Sequence, residues 1–287
     1  MKVLAGSSSK RTAKELAGIL KADLVEVDQR VFPDGEVYVR VPEPLRGEEV
    51  VIVQTTFPTS SLLELLFLQE VAHDQGAAHI TAVVPYYSYS RQDQVFKEGE
   101  IVSAKAVAEL IELKADRFIT VDPHKEHILG FFGIEAHGVS AVPLLAKHLE
   151  QMGVDTVLAP DKGALDRAQF AAKCLGAEFD YMEKTRISGT EVSMKAKSLD
   201  VRGKTVAIID DIISTGGTIA TASAELKRQG ATRVIAACTH GLFLNNALPR
   251  LHANGCDQVI CTDSIATDVS SVGCAAVIAD VFLERRA

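Results

Sequence analysis

The run Val206-Ala207-Ile208-Ile209-Asp210-Asp211-Ile212-Ile213-Ser214-Thr215-Gly216-Gly217-Thr218 gathers residue types that can do chemistry. Apolar residues lead straight into two acids, and hydroxyls and glycines follow. Ligands of open α/β sheets gather at the carboxyl ends of strands, so acids placed there line a pocket. Glycines let a backbone approach a ligand closely, and the first-turn N–H groups of a helix favour an anion. The hydroxyls of Ser214, Thr215 and Thr218 add donors around Gly216 and Gly217. This combination suits a sugar phosphate, with the phosphate in the loop and the ribose hydroxyls on Asp210 and Asp211. An ordinary helix N-cap with a flexible loop is the other reading, and it leaves two acids at the end of a buried strand unexplained.

Other segments carry chemistry that stays open when each stands alone. Phe32-Pro33-Asp34-Gly35-Glu36 is by itself a turn. In Tyr89-Ser90-Arg91-Gln92-Asp93, the planar fork of Arg91 suits phosphate, or equally a surface salt bridge. In Asp122-Pro123-His124-Lys125-Glu126-His127, the two histidines suggest zinc but lack further ligands at recognisable spacing. Asp161, in Ala159-Pro160-Asp161-Lys162-Gly163-Ala164, is a hard oxygen ligand suited to magnesium just after a strand-like segment. Lys184 and Arg186, one residue apart in Glu183-Lys184-Thr185-Arg186-Ile187-Ser188-Gly189, can meet charge building on phosphate oxygens, or belong to a solvated hairpin.

Taken in order, these segments resemble the motifs of the ribose-phosphate pyrophosphokinase (phosphoribosyl pyrophosphate synthetase) family, within the type I phosphoribosyltransferase superfamily. The wording at Lys184 to Ser188 is nearest to archaeal members. The resemblance implies that Ser214 to Thr218, with Asp210 and Asp211, hold ribose 5-phosphate. It implies that Asp34, Gly35, Glu36, Arg91 and Gln92 hold ATP, the first three often across a subunit interface. It makes His124 and Asp161 ligands of a Mg2+–nucleotide complex and decides for magnesium over zinc, leaving His127 structural. It makes Lys184 and Arg186 catalytic, with Arg186 also touching ribose 5-phosphate. The protein is then expected to be a homo-oligomer, at least a dimer and as large as a hexamer. The chain departs from the family pattern at Ala159, Ala164 and Ser214, and matches loosely over Ser270 to Ala276. Two rivals are a phosphoribosyltransferase acting on a nucleobase, which has no reason for the ATP segments, and a non-catalytic regulatory paralogue, which has no reason to keep Lys184, Arg186, His124 and Asp161.

These residues need a frame that brings strand ends together. Short β-branched runs such as Val50–Val53, Ile80–Val84, Thr205–Ile209 and Arg233–Ala237 alternate with helical stretches such as Ser60–Asp74 and Gly217–Gln229. Apolar strands in β-α-β order predict mostly parallel sheet with helices on both faces. The chain also repeats itself. Val51-Ile52-Val53-Gln54-Thr55-Thr56 leads to Gln75-Gly76-Ala77, and Ala207-Ile208-Ile209-Asp210-Asp211-Ile212 leads to Gln229-Gly230-Ala231. Two similar α/β domains are expected, residues 1–140 and 141–287, only the second keeping the phosphate chemistry. The net charge of −8 argues against a nucleic-acid partner. No apolar run approaches the roughly 18 residues of a membrane span. Five cysteines without a C-x-x-C pair suggest reduced thiols and a cytoplasmic protein.

Overall fold

The computed structural model describes residues 1–186, 192–196 and 199–284, with side chains outside 184–198. In chain order the first elements are β1 (Lys2–Ala5), α1 (Lys10–Leu20), β2 (Asp23–Val25), β3 (Asp28–Val31), β4 (Val37–Arg40), β5 (Glu49–Val53), α2 (Thr59–Asp74), β6 (His79–Val84), α3 (Ser103–Glu112), β7 (Arg117–Val121) and β8 (Glu135–Val139). Then come α4 (Val142–Glu150), β9 (Thr156–Ala159), α5 (Leu165–Leu175), β10 (Glu178–Arg186), β11 (Val192–Ala196), β12 (Thr205–Ile213), α6 (Gly217–Arg228), β13 (Arg233–Gly241), α7 (Ala247–Ala253), β14 (Gln258–Thr262), β15 (Ser270–Val272) and α8 (Ala275–Leu283).

Two sheets result, with strand orders β2-β1-β5-β6-β7-β8 and β11-β10-β9-β12-β13-β14-β15. The first is parallel throughout, and the second is parallel apart from the β10–β11 hairpin. The central strands are apolar without alternation because both faces are covered. Val50 to Val53 and Val206 to Ile209 are all buried.

The two sheets share one topology. After β1 the chain turns to β2 on one side, whereas from β5 it runs to β6 and β7 on the other. After β9 it turns to β10, whereas from β12 it runs to β13 and β14. Each sheet therefore has its switch point between two central strands, β1/β5 and β9/β12, where helices leave in opposite directions and open a crevice. The contacts form two compact units, Met1–Ser140 with Asp263–Ala266 and α8, and Ala141–Thr262 with Thr267–Val272. The last helix rejoins the first unit because its apolar face needs cover. Ile278 and Phe282 are buried, and the Arg117 guanidinium lies 4.5 Å from the centre of the Phe282 ring.

The first unit's switch point is filled from within. Glu64 of α2 is buried and accepts the Ser7 N–H at 2.7 Å and the Ser7 hydroxyl at 2.5 Å. Gln54, the counterpart of Asp210, is fully buried and accepts the Ser8 N–H at 3.1 Å. A Cβ on Gly6 would fall 2.3 Å from the Gln54 amide oxygen, so only glycine fits there. An internal carboxylate thus ties down the β1–α1 loop, the counterpart of the Asp161 turn in the second unit. Glu64→Ala is expected to cost about 1–3 kcal/mol, since it strips partners from hydrogen bonds made to a charged group. Inorganic phosphate or sulfate should restore part of the lost Tm. Thermal melts with and without the anion test this, and an unchanged Tm would show that Glu64 does not hold the loop.

Candidate active site

In the second unit the switch point lies between β9 and β12, and Asp161 and the acid pair stand at its two carboxyl ends. Strand β12 pairs with β9 only as far as Ile208, but with β13 as far as Ile213. The acids expected just past the strand therefore lie within it, beyond the reach of β9. Their side chains are 22% and 10% exposed for Asp210 and Asp211. Asp210 Oδ1 accepts the Asp211 N–H at 2.9 Å, and Asp211 Oδ1 accepts the Ile212 N–H at 3.0 Å. Burial, then the neighbouring Asp211 charge, pushes the Asp210 carboxyl up to about 8.

The loop that follows is built to keep backbone N–H groups available. Gly216 is the N-cap of α6 with φ 72°. That left-handed conformation favours glycine, and a Cβ there would also press on Leu251 at 3.3 Å. A glycine N-cap brings no side chain to occupy the first-turn donors, so they stay available to an anion. Thr215, Gly217 and Thr218 are exposed and Ser214 is half-buried. The loop is braced from behind. Ser214 O accepts the Leu244 N–H at 2.9 Å, and Arg250 donates to Thr215 O at 2.8 Å and to Asn245 O at 3.3 Å.

Asp161 is exposed at the end of β9, and its Oδ1 accepts the Gly163 N–H at 2.9 Å, which shapes the turn into α5. Lys184 and Arg186 belong to β10 by their backbone, and their side chains lie outside those described. Arg167, on the first turns of α5, was not singled out in the sequence, where it reads as one more helix cation. Its Nη1 lies 3.9 Å from Asp210 Oδ1 and 3.7 Å from Asp211 Oδ1. Arg250 was missed likewise, because its partners are carbonyls far away in sequence.

The remaining predicted residues belong to the first unit. Asp34, Gly35 and Glu36 form the exposed tip of the β3–β4 hairpin, with Gly35 at φ 92° and the Glu36 N–H donating to Asp34 Oδ1 at 3.1 Å. Behind the tip, the Arg30 guanidinium stacks on Phe32 at 5.0 Å and on Tyr38 at 4.5 Å. Arg91 is exposed, and Gln92 donates to Glu100 at 3.2 Å. The backbone N–H groups of Lys97 and Phe96, with the Gln92 amide, hold the Glu100 carboxyl below its ordinary range. His124 is half-buried, two residues after Asp122, whose φ of 37° is unusual for a non-glycine residue. Ser140 donates to Asp122 at 2.7 Å. His127, read as structural, lies 3.3 Å from Asp93 and so ties the Arg91 segment to the His124 segment.

Residues 1–114 match the family model for the N-terminal domain of ribose phosphate pyrophosphokinase, and residues 143–276 match the phosphoribosyl transferase domain. The ribose-phosphate pyrophosphokinase of Methanothermobacter thermautotrophicus is 42% identical over 281 residues, covering 97% of this chain and 99% of that protein. The Methanopyrus kandleri protein of the same name is also 42% identical, covering 98% of each chain. The crystal structure of phosphoribosylpyrophosphate synthetase from Mycobacterium smegmatis superposes with a TM-score of 0.86 at 31% identity, covering 99% of this chain and 98% of that one. Relatedness of this extent, spanning both units and the site between β9 and β12, places the chain in the ribose-phosphate pyrophosphokinase family.

Proposed function

We propose that the enzyme transfers the β,γ-diphosphoryl group of ATP to the anomeric hydroxyl of ribose 5-phosphate, giving 5-phosphoribosyl 1-pyrophosphate and AMP. The anomeric hydroxyl gives up its proton to solvent as its oxygen bonds to the β-phosphorus, the bond from that phosphorus to the α,β-bridging oxygen breaks, and AMP leaves with the electron pair. The observation that carries this reading is the pairing, at one strand end, of two carboxylates with a glycine-capped helix start. The helix start takes the 5-phosphate and the carboxylates take ribose hydroxyls. Family membership supports the same assignment.

Such a transfer needs positioning and charge neutralisation more than covalent help. Ser214 to Thr218 anchor the sugar by its phosphate, so that the anomeric end stays free. Arg91 and Gln92 orient the ATP phosphates, and Asp34 to Glu36 its base. Lys184 and Arg186 meet the charge that grows as the bridging bond breaks. Among the described residues, Glu70, His73 and Asp74 are the one cluster of three close metal-type donors. Lys114 lies 3.6 Å from Glu70, which already answers that cluster's charge. Mg2+ does not need a cage of protein atoms, because it is commonly held by one or two carboxylates plus substrate phosphates. The exposed oxygen donor Asp161 fits that mode of binding, whereas His124, an uncommon ligand for Mg2+, is assigned on the family resemblance alone. When bound, the ion neutralises phosphate charge.

All five cysteines are free. Among the described residues no helix is long and apolar enough to cross a membrane. The test is direct: purified protein, Mg2+, ATP and ribose 5-phosphate should yield AMP and the diphosphorylated sugar in equal amounts. Release of ADP, or pyrophosphate-dependent transfer to a nucleobase instead, would reject the reading.

The exposed hairpin tip also supports a homo-oligomer in which Asp34 to Glu36 reach a neighbouring subunit's ATP. Glu36→Ala and Lys184→Ala subunits, each inactive alone, should regain part of the activity when mixed and allowed to exchange. Recovery should depend on the mixing ratio. No rescue despite demonstrated exchange would place the whole site within one chain.

A further inference from the structure

We propose that Arg167 is a positioning residue of the sugar site, orienting Asp210 and Asp211 and easing the ionisation of the pair, so that it can accept hydrogen bonds from ribose hydroxyls. This rests on the reading of the two acids as sugar ligands. The first support is geometric. One guanidinium nitrogen lies within 4 Å of an oxygen of each acid, at 3.9 Å and 3.7 Å, so the cation bridges the pair instead of serving one member. Arg167 is itself 18% exposed, which limits its screening by water.

The second support comes from comparing the two units. Strands β1 and β9 end at equivalent places, followed by α1 and α5. Counting from the strand ends or from the helix ends, the position of Arg167 falls in the first unit on Ala13 or Thr12, both fully buried and uncharged. The first unit has Gln54 and Thr55 where the second has Asp210 and Asp211. The first unit has no cation at the equivalent position, as expected if the task of Arg167 is to serve the acids, and its neighbouring Arg11 lies 3.7 Å from Asp263 instead.

The chemistry explains why the acids need it. A ribose hydroxyl donates to a carboxylate, and a protonated carboxyl at the same place presents a competing donor. Two adjacent buried acids tend to keep one proton between them, and a cation beside both makes that proton easier to release. Other titratable groups face the same strand end. On β13 the Cys238 thiol, in register with Asp210, is driven well above its ordinary range by burial and stays neutral. His240, in register with Ile212, is buried. At the end of β9, the turn contributes Asp161 and an exposed Lys162.

The experiment compares Arg167→Gln and Arg167→Lys in the full-length enzyme. The readouts are kcat and KM for each substrate from about pH 6.5 to 9, and thermal melts of the ligand-free protein over the same range. At pH 6.5 the Gln variant should raise KM for ribose 5-phosphate by on the order of 100-fold while KM for ATP stays within about twofold. The penalty should shrink about tenfold towards pH 9, where the wild-type pair is already ionised and the variant's pair begins to ionise. Lysine should recover most of the affinity. A penalty that does not change with pH, or one shared equally by ATP, overturns the proposal. If the wild type makes no phosphoribosyl pyrophosphate, the functional reading fails, and the melts still judge Arg167. The Gln variant should then lose Tm with rising pH more steeply than wild type, and Arg167→Gln combined with Asp210→Asn should not. Parallel melting curves for wild type and Arg167→Gln reject the role.

Discussion

Lys184→Ala and Arg186→Ala are each expected to lower kcat by on the order of 10²–10³-fold, with KM for ATP and ribose 5-phosphate changed only a few-fold. The reasoning begins with when the charge appears. On the proposed assignment, Arg91 and a bound metal ion would offset the charge on the phosphate oxygens of ATP in the ground state. As the bond to the α,β-bridging oxygen stretches, new negative charge develops on that oxygen and on the transferred group. A cation meeting only this charge stabilises the transition state without tightening the ground-state complex, so its loss falls on kcat. The chain has two such cations, one residue apart, on the strand that follows the Asp161 turn and α5. Arg186 is also assigned a contact to ribose 5-phosphate, so its variant should show the larger KM change of the two. Steady-state kinetics with both substrates varied checks this. Near-wild-type kcat with KM raised in both variants would reassign the pair to ground-state binding.

Much of the frame behind these residues is legible in the sequence because it is written in apolar runs. Val50–Val53 and Ile80–Val84 are strands in both readings, each begun one residue earlier, and Thr205–Ile209 differs only in being extended to Ile213. That extension is informative, since it shows that pairing with β13 carries the acids past the end of β9. The duplication was legible in the echo of Gln75-Gly76-Ala77 by Gln229-Gly230-Ala231, and the shared strand order accounts for it. Short elements with mixed polarity were not legible. The hairpin of β3 and β4 exposes most of its residues and so shows no core pattern. The return of α8 to the first unit depends on a contact between segments more than 150 residues apart in sequence, such as Arg117 and Phe282. For the site, residues on a motif were readable, whereas Arg167 and Arg250 were not. Their meaning lies in which strand end they face after folding, and no local spacing records that.

Asp210→Asn is expected to separate function from stability. The amide keeps the shape of the side chain but loses the charge that, once the carboxyl ionises above about pH 8, strengthens hydrogen bonds from ribose hydroxyls. A hydrogen bond to a charged group contributes about 1.5–3 kcal/mol, so above that pH kcat/KM for ribose 5-phosphate should fall by roughly 10- to 100-fold. Affinity for a non-hydrolysable ATP analogue should hold, because the nucleotide is assigned to other segments. Stability should move the other way. In the folded protein, burial and then Asp211 raise the Asp210 carboxyl to about 8 from its ordinary 3.8. A group raised in the folded state binds its proton more tightly there, so its contribution to stability is complete below the unfolded value. That contribution is lost progressively as pH rises towards 8. The wild type should therefore lose Tm between about pH 4 and 8 through this group, and the amide, which does not titrate, should not. The variant should melt higher than wild type at pH 8 and show a flatter profile, a common trade-off where a binding site keeps like charges close together. Isothermal titration with the ATP analogue and melting curves at several pH values test both halves. If nucleotide affinity falls as far as sugar use, Asp210 belongs to a different subsite. If the variant's Tm follows wild type across the pH range, the acid pair does not strain the folded protein.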